Sequence, residues 1–276
     1  MKIPILTYHS LDIAAGGYAN NDLVAFDSDL ATITRMGFEV MPLSRLVDAW
    51  LSAPQTLRSR RLIALTCDDG SDFDYRDLPH PVVGRQRSML NILRDFREGH
   101  PGSQPELALT SFVIVSPEAR ATLDVTCLIG QHWWNDDWWA SAVASGLVEI
   151  ANHSWDHNHE SLPQEDFPGI ARGTFSNIST EELADYEIAA AQARLASEAP
   201  NAGLALFAYP YGEANAFLTD SYLPRRGEEL GIRAAFTDRR GFLEERSNQW
   251  ALPRLVFRRD WADPPGLRRI LEQAIE

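Results

Sequence analysis

Lysine is nearly missing from this chain: Lys2 is the only one among 25 basic residues, and the remaining 24 are arginines. That bias fits genome composition better than function. Positive charge is scarce overall, because 39 acidic residues leave a net charge of −14. A nucleic-acid partner needs a basic footprint to neutralise phosphates, so that class is excluded, and a membrane-surface role is disfavoured in the same way. Cysteine occurs only at Cys67 and Cys127. Cys67 lies inside an apolar run, so a buried free thiol is expected there and not a disulfide. No apolar run approaches a transmembrane span. The opening Met1-Lys2-Ile3-Pro4-Ile5-Leu6-Thr7-Tyr8-His9 lacks a signal peptide's long apolar stretch and small-residue cleavage site. As it stands the sequence reads as soluble and cytoplasmic, or extracytoplasmic if a leader has been removed. No repeat, low-complexity tract or linker interrupts it.

What is present is enough apolar material, 45% hydrophobic and 10% aromatic, to bury a full core over 276 residues. The stretch Leu62-Ile63-Ala64-Leu65-Thr66-Cys67-Asp68-Asp69-Gly70 organises the rest. Its apolar run reads as a short buried strand of a parallel sheet, and the strand ends on two carboxylates and a glycine. Side chains alternate along a strand, so Asp68 and Asp69 point apart unless the chain turns, which Gly70 permits. Either this is a polar turn closing a strand, or one carboxylate serves a metal and the other handles protons.

Further strands are expected at Ile3–Tyr8, Phe38–Met41, Leu107–Val115, Leu147–Ala151, Leu204–Ala208, Ile232–Asp238 and Leu252–Phe257. Helices are expected over Asp27–Met36, after a cap at Ser44, around Met89–Glu98, over 131–146, after the box Ser179-Thr180-Glu181-Glu182, over 215–230, and at the C-terminus through Leu267, Ile270, Leu271 and Ile275. Ser71–Val83 reads as a long loop. Seven or eight strands alternating with helices point to an α/β fold. We expect one TIM-like (β/α) barrel of seven to eight strands, with residues 1–276 as a single domain. Tyr8-His9, Asp68-Asp69, His153 and Tyr209–Tyr211 each follow an apolar run directly. In a barrel those strand ends share one rim, where catalytic groups gather.

His153 and His157 stand four residues apart. On a helical turn both imidazoles share one face; such a pair is either solvated or shares a metal. With an aspartate from another strand end the set becomes two nitrogens and one carboxylate, which leaves a coordination position open for water. His159 reads as surface, or at most as an outer neighbour of that pair.

These motifs carry a resemblance. Thr66-Cys67-Asp68-Asp69-Gly70 resembles the Thr-Phe-Asp-Asp-Gly motif of NodB-type polysaccharide deacetylases, carbohydrate esterase family 4. His153-Ser154-Trp155-Asp156-His157 resembles their His-Ser/Thr-x-x-His motif. Phe207-Ala208-Tyr209-Pro210-Tyr211-Gly212 is similar to their Arg-x-Pro-Tyr motif, and Leu6-Thr7-Tyr8-His9-Ser10 to the start of many members. The likeness spans about residues 3 to 257. It implies a distorted (β/α) barrel of seven or so strands forming one catalytic domain, and a metal-dependent hydrolase that removes N-acetyl groups from an acetylated amino-sugar glycan, with metal-bound water as nucleophile. By motif position Asp69, His153 and His157 hold one divalent metal, zinc first, with cobalt or nickel as alternatives. Asp68 is the general base, and the backbone N–H of Tyr211 helps hold the oxyanion.

Two departures stand out. The motif arginine that steadies the catalytic aspartate is replaced by Ala208. Arg254 either takes over that work or is an ordinary surface arginine. No histidine follows His159, so the usual C-terminal acid is missing. That pattern is similar to the permuted branch containing poly-N-acetylglucosamine deacetylases, in which an N-terminal histidine serves; His9 matches that place. The alternative is a histidine that merely plugs the barrel mouth. Trp133, Trp134, Trp138 and Trp139 either pack a helix on the barrel or stack on sugar rings, and packing is favoured. Two rival functions are a metal-dependent hydrolase of small cyclic amides and a catalytically silent carbohydrate-binding barrel. The intact acidic and histidine set speaks against the second.

Overall fold

The computed structural model describes residues 1–163, 170–200 and 205–276. The apolar runs become strands β1 (Ile5–Tyr8), β2 (Glu39–Val40), β3 (Leu62–Cys67), β6 (Leu109–Val113), β7 (Val148–Asn152), β8 (Leu206–Ala208), β9 (Ala234–Phe236) and β10 (Leu255–Val256), with a small hairpin of β4 (Leu78–His80) and β5 (Gly84–Gln86) between β3 and β6. Seven strands pair in the order β10-β1-β3-β6-β7-β8-β9, and β2 joins β3 beside its first residues. Every pairing in this sheet is parallel. These strands are short and almost wholly buried, apart from exposed Glu39 on β2 and half-buried Glu149 on β7, with one face in the barrel interior and the other under helices.

The sheet curls, and the chain near its C-terminus spans the remaining gap. Leu252 pairs with Phe236 at the end of β9, and Leu255 pairs with Leu6 of β1. The result is the distorted α/β barrel that the alternation of strands and helices implies. Its interior is filled from alternate positions: Ile5, Ala64, Phe112, Ala151, Ala208 and Phe236 belong to one buried cluster. Phe112 and Phe236 lie 5.7 Å apart between their ring centres, and the alanines leave room for them. The opposite alternation, Leu6, Ile63, Leu65 and Ile150, packs outward with Phe26, Ile33 and Leu93 from the covering helices.

Several boundaries differ from expectation. The first helix runs over Asp22–Arg35, because Asn21 caps it and accepts from the N–H groups of Leu23 and Val24. Ser44 is not a cap: the second helix, Leu43–Ser52, starts after Pro42, and the Ser44 hydroxyl donates to Glu149. Thr180, not Ser179, caps the helix that begins at Glu181. A helix over Pro117–Thr126, capped by Ser116, was not expected at all. The tryptophan segment is mostly not helical, since the helix covers only Trp139–Ala144. The chain ahead of it is pinned by Asp72, which accepts from Asn135 N–H and from Trp138 Nε1. All four tryptophans are buried, which is the packing reading. Leu204 lies outside the described residues. Among those described, no helix is long and apolar enough to cross a membrane.

Candidate active site

The ends of β3, β7 and β8 each deliver a motif to the C-terminal rim, and each of these three motifs holds a residue in the left-handed backbone region that only a well-supported side chain tolerates. Asp69 has φ +73°, Ser154 +72°, His157 +66°, Asn158 +44° and Tyr211 +58°. Such strain gathers where surrounding structure overrides local preference. After β3 the turn is made by Asp69 and Gly70 together. A Cβ on Gly70 would sit 2.4 Å from a Val113 methyl, so no other residue fits. The turn is held from above by Trp134, whose indole N–H donates to the Asp69 carbonyl at 3.0 Å.

This turn sends Asp68 and Asp69 in different directions. Asp69 Oδ1 stands 3.6 Å from His153 Nε2 and 3.8 Å from His157 Nε2. Asp69, His153 and His157 form a compact group of potential metal ligands, with both histidines more than nine-tenths buried. The His153 ring is oriented by its other nitrogen, Nδ1, which lies 2.8 Å from the Ala208 carbonyl. A carbonyl can only accept, so Nδ1 carries a proton and the ring is held with Nε2 toward Asp69. Burial, reinforced by the neighbouring histidines, pushes the His157 pKa well below its ordinary value, so this ring is neutral. Burial pushes Asp69 upward, which His9 and His153 partly oppose. Two imidazoles and a carboxylate gathered this closely fit a divalent metal.

Asp68 turns to the other side and meets Arg254. The guanidinium donates through Nη1 to Oδ1 at 2.7 Å and through Nη2 to Oδ2 at 2.6 Å, a two-pronged pairing. Burial alone would raise the Asp68 pKa, but Arg254 foremost, with His153 and His9, brings it below the ordinary carboxylate range. Arg254 is 0% exposed and so is not a surface arginine. It also donates to Asp238 at 2.8 Å and lies over the Phe112 ring at 5.4 Å. Asp238 was not foreseen as a site residue, although it follows the β9 apolar run as the other rim residues follow theirs.

His9 is partly buried at the end of β1. Burial would lower its pKa, but Asp69, Asp68, Asp12 and Asp22 outweigh that and raise it. Asp22 accepts from the His9 backbone N–H at 2.8 Å. His9, Asp12 and Asp22 form a second cluster of ligand-type groups, yet its charge is already met by Arg258, 2.8 Å from Asp22 and 3.6 Å from Asp12. Tyr211 is 39% exposed and presents its ring edge-on to His157, with ring centres 4.5 Å apart. His159, further out, has its Nε2 3.6 Å from the Cys127 sulfur. Cys67 is a buried free thiol hydrogen-bonded to Asp74, and Cys127 is free and exposed.

Behind the histidine motif lies a buried acidic pair that the sequence reading also missed. Asp156 is ion-paired with Arg172 at 3.0 Å. Glu187 has its pKa pushed well above the ordinary range, first by burial and then by Asp156. A groove of about 600 Å³ opens beside Tyr211, lined by Gly212, Glu213, Asn215, Thr219, Asp220 and Arg239 among others.

Comparison with known proteins bears on this geometry. Residues 109–234, which include His153, His157 and Tyr211, match the family model described as polysaccharide deacetylase. No curated protein matches the sequence. Among solved structures, IcaB from Ammonifex degensii is 18% identical with a TM-score of 0.63, over 100% of this chain and 97% of that one. The Streptococcus pyogenes deacetylase PplD, solved in complex with acetate, is 17% identical with a TM-score of 0.61, over 98% of both chains. BC0361, a polysaccharide deacetylase from Bacillus cereus, is 15% identical with a TM-score of 0.59. This chain spans 65% of the length of BC0361. The likeness to all three is one of fold.

Proposed function

We propose that this chain, whose β6–β9 segment matches the polysaccharide deacetylase family model, is a metal-dependent N-deacetylase of an acetylated amino-sugar glycan. The observation that carries the reading is the division of the two adjacent carboxylates: Asp69 faces two imidazoles, while Asp68 is clamped by Arg254. A divalent metal held by Asp69, His153 and His157, with zinc the first candidate, would polarise the acetamide carbonyl and make hydroxide accessible near neutral pH.

The chain's own residues supply the proton traffic. Asp68, ionised and fixed by Arg254, takes a proton from the attacking water as its oxygen bonds to the acetyl carbon. Tyr211, strained into the left-handed region beside His157, offers its backbone N–H to the oxygen that gains charge. His9 gives its proton to the amine nitrogen as the C–N bond breaks, which leaves acetate and a free amino sugar. The raised pKa of His9 suits it to hold that proton at neutral pH.

The match of residues 109–234 to the polysaccharide deacetylase family model supports a glycan over the small cyclic amides that are the rival substrate. The test is acetate release from a panel of N-acetylated amino-sugar oligomers and small cyclic amides, using dialysed protein with and without added Zn²⁺. Zinc-dependent acetate release from the oligomers supports the proposal. Turnover confined to cyclic amides, or the same rate after chelation, contradicts it.

A further inference from the structure

The loop carrying both metal-facing histidines has an outside support, and it comes from an irregularity in a helix. The helix that starts at Glu181 and ends at Glu198 widens into a π turn over Asp185–Ala189. The N–H of Ala190 reaches back five residues to the Asp185 carbonyl. Such a widening skips one ordinary helical pairing and presents carbonyls to other partners. Here two are used: Glu187 O accepts from Trp155 N–H at 2.7 Å, and Ile188 O accepts from the Asn152 side-chain amide at 3.1 Å.

The loop from His153 to Asn158 is not a helix, and three of its six residues have left-handed backbone. A loop so strained keeps its shape only if its N–H groups are satisfied in that shape and no other. All six are. His153 N–H goes to Val113 O, Ser154 to Asn152 Oδ1, and Trp155 to Glu187 O. Asp156 N–H goes to Glu187 Oε2 at 3.2 Å, His157 to Ser154 Oγ and Asn158 to Asp156 Oδ1. Asn152 ends the strand that leads to the loop, Val113 ends the neighbouring strand β6, and Ser154 and Asp156 belong to the loop itself. Among these acceptors Glu187 alone lies outside both sheet and loop, and it takes two of the N–H groups, one with its main chain and one with its side chain. It is 3% exposed, so no water stands in for it.

We infer that Glu187, placed by the π turn, is a positioning residue that fixes the spacing of His153 and His157 and thereby tunes metal affinity. This rests on the metal-binding reading of Asp69, His153 and His157. Glu187 touches no metal ligand side chain and acts through the backbone between them. Outer supports of this kind are worth about 10–100-fold in metal affinity.

The experiment measures metal binding, not turnover. Wild type, Glu187→Ala, Glu187→Met and Glu187→Gln are stripped of metal and titrated with Zn²⁺ against a chromophoric chelator. The visible spectrum of each Co²⁺ form and the thermal midpoint of each metal-free form are recorded alongside. Glu187→Gln retains an acceptor for Asp156 N–H and a donor toward its carboxylate, and should bind within a few-fold of wild type with the same Co²⁺ spectrum. Glu187→Met fills the space without the polar contacts. It and Glu187→Ala should bind about 10–100-fold more weakly, with an altered Co²⁺ spectrum. Wild-type affinity and spectrum in either apolar variant overturns the inference, as does a glutamine variant impaired as much as the alanine one. If both apolar variants fail to fold while Glu187→Gln folds, Glu187 is a folding residue and the inference also falls. A wild type that takes up no metal defeats the metal-site reading itself, which keeps the two failures distinct.

Discussion

At the scale of single residues, the pairing of Arg254 with Asp68 has the clearest consequences. A two-pronged contact to a buried carboxylate uses the planar fork of arginine, which a lysine ammonium cannot reproduce. Arg254→Lys keeps the charge and is expected to lower kcat by an order of magnitude or more while the thermal midpoint moves little. Normal kinetics in that variant would detach Arg254 from the reaction. Arg254→Ala is a poorer probe, because it leaves Asp68 and Asp238 facing each other unpaired in the interior, a loss of about 3–5 kcal/mol. His9 gives a second test. An acid works only while protonated, so the rate should fall as pH rises through its pKa, which Asp69 and Asp68 help to raise. His9→Ala should retain metal, lose about 10²–10⁴-fold in kcat and lose that alkaline limb. A variant that keeps the limb would assign it to another group. Asp68 and His9 were legible in the sequence because each directly follows an apolar run, and Arg254 because it stands at the last strand while Ala208 leaves the motif arginine missing. Asp238 and Glu187 were not. Asp238 matters only through Arg254, and Glu187 only through a helical irregularity that no residue pattern announces.

Among the elements, the strands were easier to read than the helices. Runs such as Leu62–Cys67 are apolar on both faces because one face fills the barrel interior and the other lies under helices, and that signal survives without context. The helix over Pro117–Thr126 escaped because Ala119, Leu123 and little else mark its buried face. The tryptophan segment suggested a helix by spacing, but Asp72 takes the N–H of Asn135 and the indole of Trp138 and pins the chain into a turn there. The Asp-Asp-Gly element carries its own prediction. Gly70 has φ +73° and no room for a Cβ beside Val113, so Gly70→Ala must move the turn that aims Asp69. Overpacking alone should cost about 1–3 kcal/mol, and metal retention should fall with it. Chemical denaturation with metal analysis checks both; unchanged values would mean the turn is more forgiving than its geometry.

For the molecule as a whole, buried acids shape stability. Burial raises Asp22, Asp29 and Asp74 to about 6, even though Tyr8, Tyr18 and Trp261 all donate to Asp29. In the unfolded chain these groups ionise near 4, so between about pH 4 and 6 the folded state holds more protons. Stability contributed by each, of order 1–3 kcal/mol, is therefore present at the acidic end and lost as pH rises through that window. The net charge of −14 works in the same direction. The thermal midpoint of metal-free protein should fall between about pH 4 and 6, and a midpoint that climbs steadily over this range would contradict it. Measuring metal content and acetate release on the same preparations of wild type, Asp68→Asn and Asp69→Ala decides whether Asp68 and Asp69 divide base chemistry from metal binding. Wild type should hold one divalent metal per chain, Asp68→Asn should keep it and be inactive, and Asp69→Ala should have lost it; an Asp68→Asn protein that releases acetate at the wild-type rate would show that Asp68 is not the base.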